Sequence, residues 1–160
     1  MIANFVLFQL GWLACVAGAA NGYAREGALV AALIVAWHVA RAARPAREAL
    51  LALVAALLGS GFETLLVAAG LVRVEQGVFW LVALWALFAT TLNLSLRALQ
   101  TRLWIAAAFG AVGGPLAYYA GARLGALQFL DPLAMLAALA VGWAAATPLL
   151  LSLARRLHAA

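Results

Sequence analysis

Polar positions along this chain are few and bunched, and long runs of Ala, Leu, Val, Ile and aromatic residues lie between them. Six apolar stretches stand out, at about 2–20, 25–40, 49–69, 78–96, 103–122 and 132–152. None alternates apolar with polar at period two, as a strand of a transmembrane barrel would over roughly ten residues. Most approach the roughly 20 residues that carry a helix across the hydrocarbon core of a bilayer. The pattern predicts an all-α fold: a polytopic bundle of about six transmembrane helices, forming a single domain over residues 1–160. The breaks are short. Asn21-Gly22-Tyr23 is a turn signal. Residues 41–48 read as a basic loop, 73–77 as a small polar loop and 97–102 as a second basic loop. Asp131-Pro132 reads as an N-cap followed by proline at the first helical position, the start of the sixth helix. Helix two is the weak point, because its uninterrupted apolar run covers only Gly27 to Ala40.

Composition sharpens this picture. Hydrophobic residues make up 69% of the chain and the mean hydropathy is +1.09. So little polar material cannot cover a water-facing surface, and lipid is the expected solvent. Six crossings use most of 160 residues, which leaves no room for a separate soluble domain. The opening Met1-Ile2-Ala3-Asn4-Phe5 lacks the basic start of a secretory signal, so residues 2–20 are read as a retained first helix.

Charge sets an expected orientation. There is no lysine, and ten arginines face five acids, for a net charge of +5. The breaks after helices two, four and six hold Arg41, Arg44, Arg47, Arg97, Arg102, Arg155 and Arg156, whereas the other breaks hold Arg25, Arg73 and Arg123. The positive-inside rule then places both termini in the cytoplasm. No solvated basic face suited to nucleic acid is evident. Cys15 stands alone in an apolar run, which excludes an internal disulfide and suggests packing.

Several segments together carry a family resemblance: Phe8-Gln9-Leu10-Gly11-Trp12, the run from Leu84-Trp85 to Leu92-Asn93, and Gly113-Gly114-Pro115-Leu116-Ala117-Tyr118-Tyr119-Ala120-Gly121 continuing to Ala126, with an acid in helix three at Glu63. In these the chain resembles the bacterial integral-membrane proteins of domain-of-unknown-function family 2878. The resemblance implies a multi-pass protein of a bacterial inner membrane and brings no reaction with it.

Glu63 is the residue with most chemical interest. A carboxylate at such depth costs a few kcal/mol on insertion scales, so it is expected to face the bundle interior or a wet cavity. Arg123 is the expected partner. It lies four residues from Tyr119, and both are expected in the outer half with Glu63. Glu63, Tyr118, Tyr119, Arg123 and Trp85 are thus the candidate ligand site, with a structural staple between helices three and five as the competing reading. Helix five also carries a small-residue stripe at Gly110, Gly114, Ala117, Gly121 and Gly125, and Pro115 removes one backbone donor in mid-helix. A second polar group, Asn4, Gln9, His38, Thr90 and Asn93, is expected toward the cytoplasm, either as packing glue or as a polar vestibule.

Several chemistries are excluded. Without lysine there is no Schiff base and no phosphate-loop lysine. His38 and His158 are the only histidines, too few and too placed for a bundle haem or a zinc site, and no cofactor is expected. Ser60 is expected near mid-membrane and His38 near the cytoplasmic face, which disfavours a nucleophile–base pair. The residues name no reaction, and enzyme status stays open. Three functions stay open too: a transport or ligand-binding bundle around Glu63, a membrane enzyme acting on lipid, and a non-catalytic accessory subunit. Membrane lipid is the expected surrounding, a small molecule or lipid the expected ligand, and self-association through glycine stripes a further possibility.

Overall fold

The computed structural model describes residues 2–159. Among them are six α-helices: α1 (Ile2–Ala20), α2 (Ala24–Arg41), α3 (Pro45–Ala68), α4 (Phe79–Leu92), α5 (Leu103–Arg123) and α6 (Pro132–Ala159). A 3-10 helix (Arg97–Thr101) follows α4, and two short strands, β1 (Val72–Arg73) and β2 (Gln128–Phe129), lie in the α3–α4 and α5–α6 loops. Four helices, α1, α3, α5 and α6, are long and apolar enough to cross a membrane. The outward faces are hydrocarbon, with Leu57, Leu65, Val112, Leu116 and Val141 all exposed. A soluble protein does not leave such a surface uncovered. The chain is an integral membrane protein built as a helical bundle.

α2 and α4 depart from the six equal crossings that the hydropathy suggests. α2 is 18 residues long, but Arg25, Glu26 and Arg41 sit at its ends. α4 is only 14 residues long and stops at Leu92, short of the apolar stretch that runs to residue 96. At 1.5 Å per residue it spans about 21 Å, less than the roughly 30 Å of hydrocarbon. It is also the helix buried on nearly every side, packed against α1, α2, α3 and α6. Such a helix reads as apolar all round because protein, rather than lipid, surrounds it. Beyond its end the chain turns, and its backbone groups are satisfied within the protein: Leu96 N–H donates to Thr91 O at 2.9 Å and Gln100 Nε2 donates to Leu92 O at 3.1 Å. Irregular backbone at membrane depth is tolerated only with such internal partners. α6, by contrast, continues seven residues past the expected end at 152.

The helix ends are built locally. Pro45 opens α3 and Pro132 opens α6, each at a position where the missing N–H is no loss. Asp131 caps α6, with its Oδ1 accepting from Ala134 N–H at 3.0 Å. α3 and α5 end alike. Gly70 (φ 69°) and Gly125 (φ 89°) take the left-handed position, and Leu71 N–H and Ala126 N–H close back onto Leu66 O and Gly121 O. Both chains then enter the antiparallel β1–β2 ladder, with Val72 opposite Phe129 and Arg73 opposite Gln128. The ladder fixes the relative height of α3 and α5. Glu63 and Tyr118 each sit five residues from the end of their helix, so they arrive at one level.

The bundle has two ends: a strand end, with the ladder and Asn21–Tyr23, and a basic end. At the basic end Arg44 Nη1 donates to His158 O at 2.9 Å and Arg47 Nη1 to Leu157 O at 2.5 Å. These arginines from the start of α3 satisfy carbonyls at the end of α6, where cations are favoured.

Candidate functional site

Glu63 is fully buried. Its Oε1 accepts the indole N–H of Trp85 at 2.9 Å and the phenol O–H of Tyr118, so α4 and α5 both aim a donor at one oxygen of α3. Oε2 has no partner among the described residues. Arg123 is not the partner that the sequence suggests. It is exposed, and no cation lies within ion-pair distance of Glu63 among the described residues. The reason is helical phase. Tyr119 and Arg123 do share a face, but it is the outer one, and Tyr119 is 49% exposed. Tyr118, about 100° around the helix, looks inward.

Glycine seats set that phase. A Cβ on Gly114 would lie 2.3 Å from the Trp143 ring, and one on Gly110 would lie 2.2 Å from Trp143 O. Gly110 and Gly114 of the expected small-residue stripe of α5 are therefore filled by α6, while Gly121 and Gly125 approach α1. The same device recurs twice. Gly59 of α3 lies under Trp85, and Gly142 of α6 lies under Phe62, with Cβ clearances of 2.1 and 2.3 Å. Three aromatic rings are thus seated on bare backbone. They meet one another: Trp85 stacks on Trp143 at 4.4 Å between centroids, and Phe62, Phe88 and Tyr118 approach the pair edge-on.

Next to this aromatic cluster is a cavity of about 60 Å³ lined by Trp12, Trp80, Trp85, Tyr118 and Trp143 among others. It is large enough for a few atoms or water molecules. The indole N–H groups of Trp80 and Trp143, and the hydroxyl of Thr147, are buried without a partner among the described residues. A larger groove of about 400 Å³ lies alongside, between α1 and α5, and shares Phe8, Trp12, Phe88, Ala117 and Trp143 with the cavity. α1 and α5 come close near the strand end, where a Cβ on Gly121 would meet Val16 at 4.0 Å and one on Gly125 would meet Ala20 at 3.9 Å. Toward the basic end the groove occupies the space between them.

The second polar group resolves into two. Asn4 Nδ2 donates to Thr90 O at 3.1 Å, and Ser95 Oγ donates to Asn4 Oδ1 at 2.7 Å, which ties α1 to the end of α4. The Thr90 hydroxyl itself returns to Leu87 O of its own helix at 2.8 Å. His38 and Asn93 instead converge on Glu48, at 3.2 and 2.9 Å. Gln9 joins neither; it is exposed and lines the groove. Glu48, Gln100 and His158 complete this group although the sequence pattern does not single them out, Glu48 because 41–48 reads as a loop. Pro45 was the available signal, since a proline at N1 puts Glu48 in the first turn of a helix. No group of three or more His, Cys, Asp or Glu placed to hold a metal ion lies among the described residues.

The helix-five donor Tyr118 thus faces the helix-three acid Glu63 inside a polytopic apolar bundle. The model of the family described as protein of unknown function (DUF2878) matches residues 1–149. The chain belongs to that family. The match includes α1 to α5, most of α6 and every residue of the Glu63 site. No curated protein and no solved structure matches the chain.

Proposed function

We propose that this DUF2878 protein is a ligand-binding bundle of a bacterial cytoplasmic membrane that takes an apolar, chain-bearing ligand sideways from the bilayer. The observation that carries the reading is that the α1–α5 groove shares five wall residues with the cavity lined by Trp85 and Tyr118, the two donors to Glu63. The groove lining is mainly aromatic and small, with Gln9, Thr91 and Ser95 as polar points. A lipid tail or a fused-ring compound suits such a wall, while the unpartnered Trp143 N–H and Thr147 hydroxyl supply donors for a polar atom of the ligand.

The accessory-subunit reading expects a fully paired Glu63, no cavity and an outward glycine stripe. Oε2 has no partner among the described residues, a cavity adjoins the site, and the stripe packs on α6 at Gly110 and Gly114 and on α1 at Gly121 and Gly125, so the support runs the other way. A cytoplasmic basic end is supported by seven arginines in the breaks at that end against three in the others.

The test fills the groove. Gly113 lines it, and a Cβ there meets only Phe109, at 4.0 Å. Gly113→Trp is expected to leave the bundle folded and to abolish crosslinking of a diazirine-bearing fatty acid to Trp12 and Phe88. Undiminished crosslinking at those residues would overturn the reading.

A further inference from the structure

At the basic end, on the far side of α4 from the groove, is a cup of about 700 Å³. Three arginines line it from three elements: Arg41 from the end of α2, Arg97 from the 3-10 helix and Arg155 from α6. Arg41 also lies over the Trp37 ring, 5.7 Å from its centroid. None of the three has a carboxylate partner among the described residues. The single acid in the lining, Glu48, is occupied and 5% exposed. His38 Nε2 lies 3.2 Å from its Oε2, His158 Nε2 3.0 Å from its Oε1, and Asn93 donates to Oε1 at 2.9 Å. Gln100, itself nearly buried, donates to Asn93 Oδ1 at 2.9 Å and anchors that amide.

We propose that this cup is a binding site for a phosphate-bearing anion. Topology asks only that arginines lie in cytoplasmic loops. It does not ask for three of them to converge on one concavity with a buried, hydrogen-bonded floor. Three exposed arginines lining one concavity, none with a carboxylate partner among the described residues, favour an anion there, and their forked N–H donors match phosphate oxygens in pairs. Glu48 fits the same account. With the two histidines and Asn93 around it, the acid is withdrawn into the floor rather than competing for the arginines. Trp37 and Leu94, 53% and 43% exposed, stand at the rim. The cup therefore borders both water and the lipid interface, and the phosphate can come from a soluble ester or from a lipid headgroup. The site does not depend on the groove reading.

The experiment uses the full chain in nanodiscs, with two double variants. Arg97→Gln/Arg155→Gln strips the cup, and Arg25→Gln/Arg73→Gln removes the same charge from the strand end. Inorganic diphosphate is titrated in phosphatidylcholine discs by calorimetry, and retention of phosphatidylglycerol is read by native mass spectrometry. Diphosphate binding weakened at least about tenfold by the first pair and unchanged by the second supports a soluble ligand. Phosphatidylglycerol retained by wild type and by the second pair, and lost from the first, supports a headgroup. Arg97→Lys/Arg155→Lys keeps the charge and loses the fork, so it is expected to fall between wild type and the Gln pair. No binding of either probe, or equal loss in both Gln pairs, overturns the site.

Discussion

At the scale of single residues, the Glu63 site is organised by acceptors and by missing side chains. Glu63 Oε1 is the shared acceptor for two buried donors from two helices. Glu63→Gln keeps a carbonyl oxygen for Trp85 and Tyr118, so its thermal midpoint in detergent is expected to stay near wild type. Glu63→Ala orphans both donors, at about 1–3 kcal/mol each, and is expected to lower that midpoint by several degrees. An Ala variant as stable as the Gln variant would show that the two hydrogen bonds hold nothing. The glycine seats allow a sharper contrast between neighbours. A Cβ on Gly114 runs into Trp143 at 2.3 Å, whereas one on Gly113 meets only Phe109, at 4.0 Å. Gly114→Val is therefore expected to cost about 1–3 kcal/mol more than Gly113→Val, through overpacking. Denaturation followed by tryptophan fluorescence measures the difference, and equal costs would mean that Trp143 is free to move.

At the scale of elements, the helices were legible and their phases were not. Hydropathy placed all six, because long apolar runs need no periodicity to be read. The end of α4 was hidden because Leu94 and Leu96 continue the apolar run although the backbone has already turned. The phase of α5 was hidden for a related reason. In lipid both faces of a helix are apolar, so the pairing of Tyr119 with Arg123 was visible but its direction was not. Direction came from Gly110 and Gly114 seating Trp143, which is a contact between helices rather than a pattern within one. The ladder between β1 and β2 is too short to leave any period, yet it sets the level at which Glu63 meets Tyr118. The left-handed glycines before it are accordingly sensitive. Gly70→Ala or Gly125→Ala forces an L-residue to φ 69° or 89°, at roughly 1–2 kcal/mol. Each is expected to raise amide exchange across residues 71–73 and 128–130 while the far ends of α3 and α5 stay protected. Unchanged exchange in the ladder would show that these glycines do not hold the helix ends.

At the scale of the whole molecule, orientation decides which solution each cavity meets. The arginine count predicts a cytoplasmic basic end, with the ladder and the Asn21–Tyr23 turn on the opposite side. Cys15 makes this simple to test, being the one cysteine and fully buried. Its thiol donates to Gly27 O at 3.3 Å, a bond that serine can keep, so Cys15→Ser gives a thiol-free background. Ala98 beside the cup and Gln76 in the α3–α4 loop are both exposed. Cysteine at position 76 is expected to react with an impermeant maleimide on intact bacterial cells. Cysteine at position 98 is expected to react only after the membrane is opened. The reverse pattern would turn the bundle over. The cup would then face the periplasm and could not draw phosphate esters from the cytosol, whereas the groove, which opens sideways, would still meet lipid.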